Sequence, residues 1–357
     1  MKLGIIGLPG SGKSTVFRAL TGGIESSERR GHQEPGHGVV KVADQRLDWL
    51  VAYQKPKKFT PVYVEFLDIA GISGEGKPGT SIGDQVLAYI RPLDALIHCV
   101  RYFDSPALGS AQPLEDLRTA EEEMILSDLA MVEKRLERVE KDIARGKKEL
   151  QEELTLLRQA SALLEAARPL RADPDLVNAE RLKGFAFLSA KPKLILLNAG
   201  DDKSRAEIGA TMEDVKKQVE GQPNVCIDWL YADAEAEIAR LDEEDAREFL
   251  QELDLDEGAK DRIIRTSFEL LQLIVFFTVG DPDVRAWPLR RGLTAVKAAG
   301  TVHSDMERGF IRAEVFSYQD LRDAGSVAAL HKAGKVRLEG RDYPMKDGDI
   351  VLFRFNV

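Results

Sequence analysis

Gly7-Leu8-Pro9-Gly10-Ser11-Gly12-Lys13-Ser14 fits the pattern GxxxxGK[ST] at every defined position. The apolar run LGII before it reads as a β-type segment. TVFRALTGG after it switches to helical spacing, with Val16, Phe17 and Leu20 falling inward. The spacing has a physical reason. Glycines let the backbone curl until successive N–H groups converge on a nest for phosphate oxygens, and the helix that starts near Gly12 adds its positive end. Pro9, Gly10, Ser11, Gly12, Lys13, Ser14 and Thr15 are therefore candidate phosphate-binding residues. Lys13 is the candidate catalytic charge, reaching the β and γ phosphates, and the Ser14 hydroxyl is a candidate Mg²⁺ ligand. The implied ligand is a purine nucleoside triphosphate. A glycine-rich turn with a chance Lys-Ser is the competing reading, and the flanking strand and helix argue against it.

Working outward, VYVEFLD ends a second apolar strand and opens Asp68-Ile69-Ala70-Gly71, a DxxG motif. Asp68 is a second candidate Mg²⁺ ligand. The Gly71 N–H is placed to meet a γ-phosphate, so that the following loop senses whether it is present. This favours a switch-type NTPase over a nucleotide kinase with a helical lid. Later, LILL runs into Asn198-Ala199-Gly200-Asp201. The guanine motif N-K-x-D uses its carboxylate to accept from N1 and N2 of the base. Here the acid is present and the lysine is Ala199, so Asn198 and Asp201 are candidate base readers.

ALIHCVRYF, KPKLILLN and NVCIDWLYA supply further strands between helical segments, which indicates a parallel, doubly wound sheet. Residues 22–38 are polar and glycine-rich and read as a long mobile loop. Leu129, Val132, Leu136, Val139 and Ile143 form a heptad seam; Gly146 interrupts it, and Leu150, Leu154, Leu157 and Leu164 resume it. That pattern predicts an inserted antiparallel helical hairpin, a short coiled coil. From Phe276 onward, short alternating runs such as VRAWPL, AAGTVHSDM and GFIRAEVF predict a small β-rich unit with one helix near residues 326–332. The expected fold class is thus α/β, a P-loop NTPase with a doubly wound, mostly parallel sheet. The expected division is a nucleotide domain at 1–112 and 189–275, the hairpin at 113–188 and the β-rich domain at 276–357.

Composition narrows the function classes. At 43% hydrophobic and 31% charged, this is an ordinary globular chain and not a disordered or fibrous one. No apolar run is long enough to span a membrane, and the first residues read as a buried strand, not as a signal peptide. Cys99 and Cys226 are the only two cysteines, too few for a disulfide framework; they read as inert core thiols in a reducing, cytoplasmic setting. A net charge of −10 argues against coating nucleic acid with the whole surface, while leaving room for a local basic face.

Taken together the motifs resemble the YchF family, also called Obg-like ATPases. GLPGSGKSTVFRALT is similar to the family's GLPNVGKSTLFNALT. EPGHGVVKVADQRLDWL is similar to EPNxGxVxVPDxRLxxL, and FFTVGDPDVRAW through GKVRLEGRDYPMKDGDIVLFRFNV resembles its C-terminal TGS-like domain. The resemblance implies a nucleotide domain, a coiled-coil arm and a TGS-like β domain. It also implies ATP as the usual nucleotide, with GTP the alternative, and a ribosome- or translation-linked role. RNA contact would fall to Arg285, Arg290, Arg291, Arg308, Arg312, Arg337 and Arg341.

This chain departs from the family pattern at several positions. Asp201 stands where the family's NxxE motif has glutamate. Ile72 follows DxxG, where a Ras-like enzyme places glutamine. The loop DSPALGSAQPLEDL lacks the histidine to which the family assigns water positioning, and His98 lies inside a strand as a core residue. His32 occupies the switch threonine position, with Ser26 or Ser27 as substitutes. YADAE, from Tyr231 to Glu235, replaces SAKxE. Two readings follow: a slow ATPase or GTPase, and a nucleotide-gated ribosome- or RNA-binding adaptor that scarcely hydrolyses.

Overall fold

The computed structural model describes residues 1–23, 35–69, 84–253, 255–280 and 282–356. In chain order the elements are β1 (Lys2–Ile6), α1 (Lys13–Thr21), β2 (Gly36–Lys41), α2 (Gln45–Gln54), β3 (Lys58–Thr60), β4 (Tyr63–Asp68), α3 (Asp84–Ile90), β5 (Ala95–Tyr102), α4 (Pro113–Ala144), α5 (Gln151–Glu165), α6 (Pro174–Asn178), β6 (Lys193–Ala199) and α7 (Arg205–Gln218). There follow β7 (Val225–Leu230), α8 (Ala232–Ile238), α9 (Glu243–Glu252), α10 (Ala259–Leu270), β8 (Leu273–Val279), β9 (Asp283–Arg290), α11 (Ala295–Val302), α12 (Ser304–Arg308), β10 (Phe310–Ser317), α13 (Tyr318–Ala324), α14 (Val327–Lys332), β11 (Arg337–Glu339) and β12 (Asp349–Phe355). They form two compact units: Met1–Val40 with Val64–Leu270, and Lys41–Tyr63 with Leu271–Val357.

The first unit is built on a six-stranded sheet in the order β2-β4-β1-β5-β6-β7. Leu67, Gly4, Leu96, Lys193 and Val225 pair in turn across five parallel strands. Ile5, Ile6, Leu96, Ile97 and Leu194 through Leu197 are buried almost completely, as strands covered on both faces by helices must be. The sixth strand, β2, overlaps the stretch read as loop. Its alternation is hidden by Gly36 and Gly38, which the packing demands: a Cβ on Gly38 would lie 2.4 Å from Thr21 Cγ2. Residues 24–34 lie outside the described residues.

The hairpin is present, but α4 has two tasks. Its first turns bury Leu117, Ala120 and Met124 against the sheet, while Val132 and Val139 further along pack against Leu154, Leu157 and Leu164 of α5. Contacts therefore do not separate the arm from the nucleotide sheet at residue 113. Arg135 clasps Glu153 at 2.7 Å and Arg158 reaches Glu140 at 2.9 Å across the hairpin.

The second unit holds a sheet in the order β11-β10-β12-β8-β9-β3. Its edge strand β3 and helix α2 come from residues 41–63, within the span expected for the nucleotide domain, because they pair and pack with the C-terminal strands. Lys58, Phe59 and Thr60 pair in parallel with Asp283, Val284 and Arg285. Arg46 bonds both carboxylate oxygens of Asp44, reaches Asp347 at 2.5 Å and lies over the Phe277 ring. The two legs of this excursion meet where Val42 N–H donates to Val62 O at 2.9 Å. AAGTVHSDM, read as a β run, is α11 and the start of α12. Ala295, Ala298 and Ala299 recur at helical spacing and bury completely, a signal masked by their small size. The helix expected near residues 326–332 is α14, and α13 precedes it as a separate helix. Cys99 is a core thiol, whereas Cys226 is only half-buried.

Candidate functional site

The loop from Gly7 to Ser14 leaves β1 and enters α1. Gly12 caps the helix with φ 87°, and no side chain caps the first-turn N–H groups. The Lys13 and Ser14 N–H groups are thus left without a side-chain partner, as an anion site requires. A Cβ on Gly12 would meet Asn198 Nδ2 at 2.2 Å, and one on Gly10 would meet Leu108 Cδ1 at 2.3 Å. Gly12 therefore excludes a side chain on space as well as on backbone conformation, whereas at Gly10 the half-exposed Leu108 can yield.

The loop is held from behind. Cys99 Sγ donates to Ser11 O at 3.2 Å, and Asn198 Nδ2 donates to the same oxygen at 3.0 Å. Within the loop, Lys13 Nζ donates to Gly7 O at 3.1 Å and Leu8 O at 2.9 Å. Burial lowers the Lys13 pKa, with Cys99 and Asp68 opposing. Ser14 Oγ donates to Asp68 Oδ2 at 2.7 Å, so the two oxygens expected around Mg²⁺ are neighbours. Asp68 is nearly buried while Ser14 is exposed. A hard, heavily hydrated cation needs only such a pair from the protein, and the donor set fits it. Thr15 lies behind, its Oγ1 accepting from Arg18. Pro9 and Gly10 are exposed at the loop's tip.

Asn198 does more than its expected role. It is buried, and its Oδ1 accepts from Ala232 N at 3.3 Å, so one amide ties the phosphate loop to the end of β7. Asp201 sits exposed in the turn that follows β6. Gly71, Ile72, His32, Ser26 and Ser27 lie outside the described residues.

Residues 103–112 form a compact loop without histidine. Arg101 staples it, donating to Phe103 O at 3.0 Å, Gly109 O at 2.8 Å and Ser110 O at 3.0 Å. The half-exposed Leu108 rests on Gly10, beside a cavity of about 310 Å³ that Leu8, Pro9, Ser11 and Asp116 also line. Arg101 and Leu108 were not singled out from sequence; an arginine closing an otherwise apolar strand was the available signal. His98 is buried, and burial, with Lys193, pushes its pKa down to about 3, as a core residue and not a proton carrier.

Below the sheet's far end, Glu121 of α4 pairs with both Arg171 and Lys193, whose side chains are fully buried. Asp128 accepts from Leu188 N at 3.0 Å, Ser189 N at 2.7 Å and Ser189 Oγ at 2.6 Å. These bonds root the helical arm in the sheet. Burial pushes the Asp128 pKa up to about 6 against them. Among the described residues no helix is long and apolar enough to cross a membrane.

Comparison with known proteins agrees with this geometry. Residues 2–141 match the family model described as 50S ribosome-binding GTPase, and residues 273–356 match the YchF GTPase C-terminal model, described as a protein of unknown function. The chain is 38% identical over 362 residues to the ribosome-binding ATPase YchF of Bacillus subtilis, covering 99% of each. It is 39% identical over 363 residues to the protein of that name in Pasteurella multocida, covering 100% of this chain and 99% of the relative. The structure of the Schizosaccharomyces pombe YchF GTPase superposes with a TM-score of 0.82 at 31% identity, covering 99% of this chain and 97% of the other. On full-length identity, fold and phosphate loop alike, the chain belongs to the YchF family.

Proposed function

We propose that this protein binds a purine nucleoside triphosphate through residues 7–15 and hydrolyses it slowly as a ribosome-associated switch. The observation that carries the reading is the convergence of Lys13, the uncapped start of α1 and the Ser14–Asp68 pair on one nest. Lys13 stabilises charge on the transferring phosphate, and Ser14 and Asp68 hold Mg²⁺, which when bound neutralises phosphate charge. The Gly71 N–H senses the γ-phosphate. Asn198 and Asp201 read the base, with ATP ahead of GTP because the lysine of N-K-x-D is absent. The names of the relatives motivate a ribosomal partner, and with it a cytoplasmic setting.

In the C-terminal unit, Arg285 stacks on Trp287 at 3.8 Å, Arg308 pairs with Asp305, Arg337 bonds Tyr343 and Arg341 bonds Phe310 O. An RNA contact therefore falls first to Arg290, Arg291 and Arg312, which are exposed. If that contact is electrostatic, ribosome pelleting weakens steeply as salt rises.

The second reading, an adaptor that scarcely hydrolyses, is favoured by the loop at 103–112, where Leu108 flanks Gly10 and no histidine stands. Single-turnover phosphate release with and without ribosomes separates the two. The expected result is slow release that ribosomes modulate, and loss of ATP affinity by about 100-fold in Lys13→Ala. Release no faster than in Lys13→Ala under either condition overturns the enzyme reading.

A further inference from the structure

Tyr231 stands at the N-cap of α8, where the family pattern carries serine. Its hydroxyl does not cap the helix. It crosses to the neighbouring loop and donates to Lys203 O at 2.8 Å. The ring is seated from below: Trp229 meets it edge-on with centroids 5.0 Å apart, and the Arg262 guanidinium lies 5.5 Å from the Trp229 ring while bonding Asp228 at 3.0 Å. A serine hydroxyl, attached directly to Cβ, falls several ångströms short of that carbonyl.

The loop it reaches is the turn carrying Asp201. Gly200 N–H donates to Tyr102 O at 3.1 Å, and Lys203 N–H closes the turn onto Gly200 O at 3.0 Å. Lys203 is held further by Asp202 at 2.8 Å and lies 5.9 Å from the Tyr102 ring. Asp201 is thus at the apex of a turn fixed on one side by β5 and on the other by Tyr231. Asn198 joins the same two loops from beneath through Ala232 N.

We propose that Tyr231 is a positioning residue for base recognition, its hydroxyl fixing the 200–203 turn and so the height of the Asp201 carboxylate over the base. The inference rests on the purine-nucleotide reading above. It links the shorter acid to the missing serine: the cross-loop bond of Tyr231 steadies the turn that carries Asp201.

The test is equilibrium binding of ATP, GTP and inorganic tripolyphosphate to the full chain, as wild type, Tyr231→Phe, Tyr231→Ser and Lys13→Ala. Tyr231→Phe keeps the ring on Trp229 and removes only the donor. It is expected to weaken ATP about 5-fold, to bring the ATP:GTP affinity ratio closer to one, and to leave tripolyphosphate unchanged. Tyr231→Ser behaves the same way. The proposal is overturned if Tyr231→Phe binds ATP like wild type, or if tripolyphosphate weakens in parallel, which marks a merely structural role. It also fails, alone, if wild type binds ATP no better than tripolyphosphate. If wild type binds ATP no better than Lys13→Ala, the nucleotide reading itself falls and takes this inference with it.

Discussion

The phosphate loop and the two loops proposed to face the base grow from the same ends of one parallel sheet, but they are held by different means. At the phosphate loop, backbone conformation sets the shape: Gly12 at φ 87° leaves room only for Asn198, Lys13 is folded onto the loop's own carbonyls, and Cys99 and Asn198 bond Ser11 O from behind. At the base loops no left-handed glycine is needed; backbone bonds close the 200–203 turn, and side chains join the two loops, through Asn198 below and Tyr231 above. A position fixed by a left-handed backbone and close packing, such as Gly12, tolerates little substitution and is legible from a motif. A site fixed by side-chain bridges accepts different bridges, and its motif drifts.

The widest break in this comparison comes from beneath both loops. Glu121→Gln leaves Arg171 and Lys193 buried without their carboxylate, and is expected to destabilise the first unit by ~3 kcal/mol in urea melts. Neither loop is favoured, so the folded fraction keeps its ATP:GTP ratio. Burial alone would raise the Glu121 pKa, but Lys193 and Arg171 hold it well below the usual 4.5. The stabilisation is present above pH 4.5 and is lost as pH falls below it toward the folded value. Wild type should therefore lose stability over that acid range, and the variant should lose less.

Gly12→Ala tests the phosphate loop and its contact with Asn198 together. Strain at positive φ is expected to cost tripolyphosphate about 2 kcal/mol, or about 30-fold in affinity, and ATP at least as much, since displacing Asn198 also loosens its bond to Ala232 N. A loss confined to ATP would mean that the damage passes through Asn198 and leaves the phosphate nest intact. Asp201→Glu tests the other side with the smallest effect. Restoring the family's longer acid is expected to shift the ATP:GTP ratio toward ATP by about 3-fold in competition binding, with tripolyphosphate unmoved.

The same contrast accounts for what could be read without coordinates. The nucleotide sheet, the seam from Leu129 to Ile143 and the Ser14–Asp68 pairing followed from local spacing, because each rests on a repeat or a motif that is contiguous in the chain. The dual use of α4 was hidden because Leu117 and Val132 look alike as helical positions and differ only in what covers them. Strand β2 was missed because close packing replaced its inward side chains with Gly36 and Gly38. Helix α11 was missed because alanines give little contrast between faces. Tyr231 looked like a lost serine, since only the fold brings Lys203 within reach of its hydroxyl.

The excursion at residues 41–63 has a consequence for how the molecule is made. Strand β3 is translated early, yet Lys58 must wait for Asp283 before it has a neighbour. At about 5–20 residues per second, that wait lasts on the order of ten seconds or more. Throughout it, the growing chain can complete β4, β1 and β5 while β3 and α2 still lack the sheet they join. The late strands β8 and β9 therefore close a gap left open since the start of synthesis. Cutting the chain after Leu270 does not delete a module; it strands the segment between β2 and β4 without its sheet.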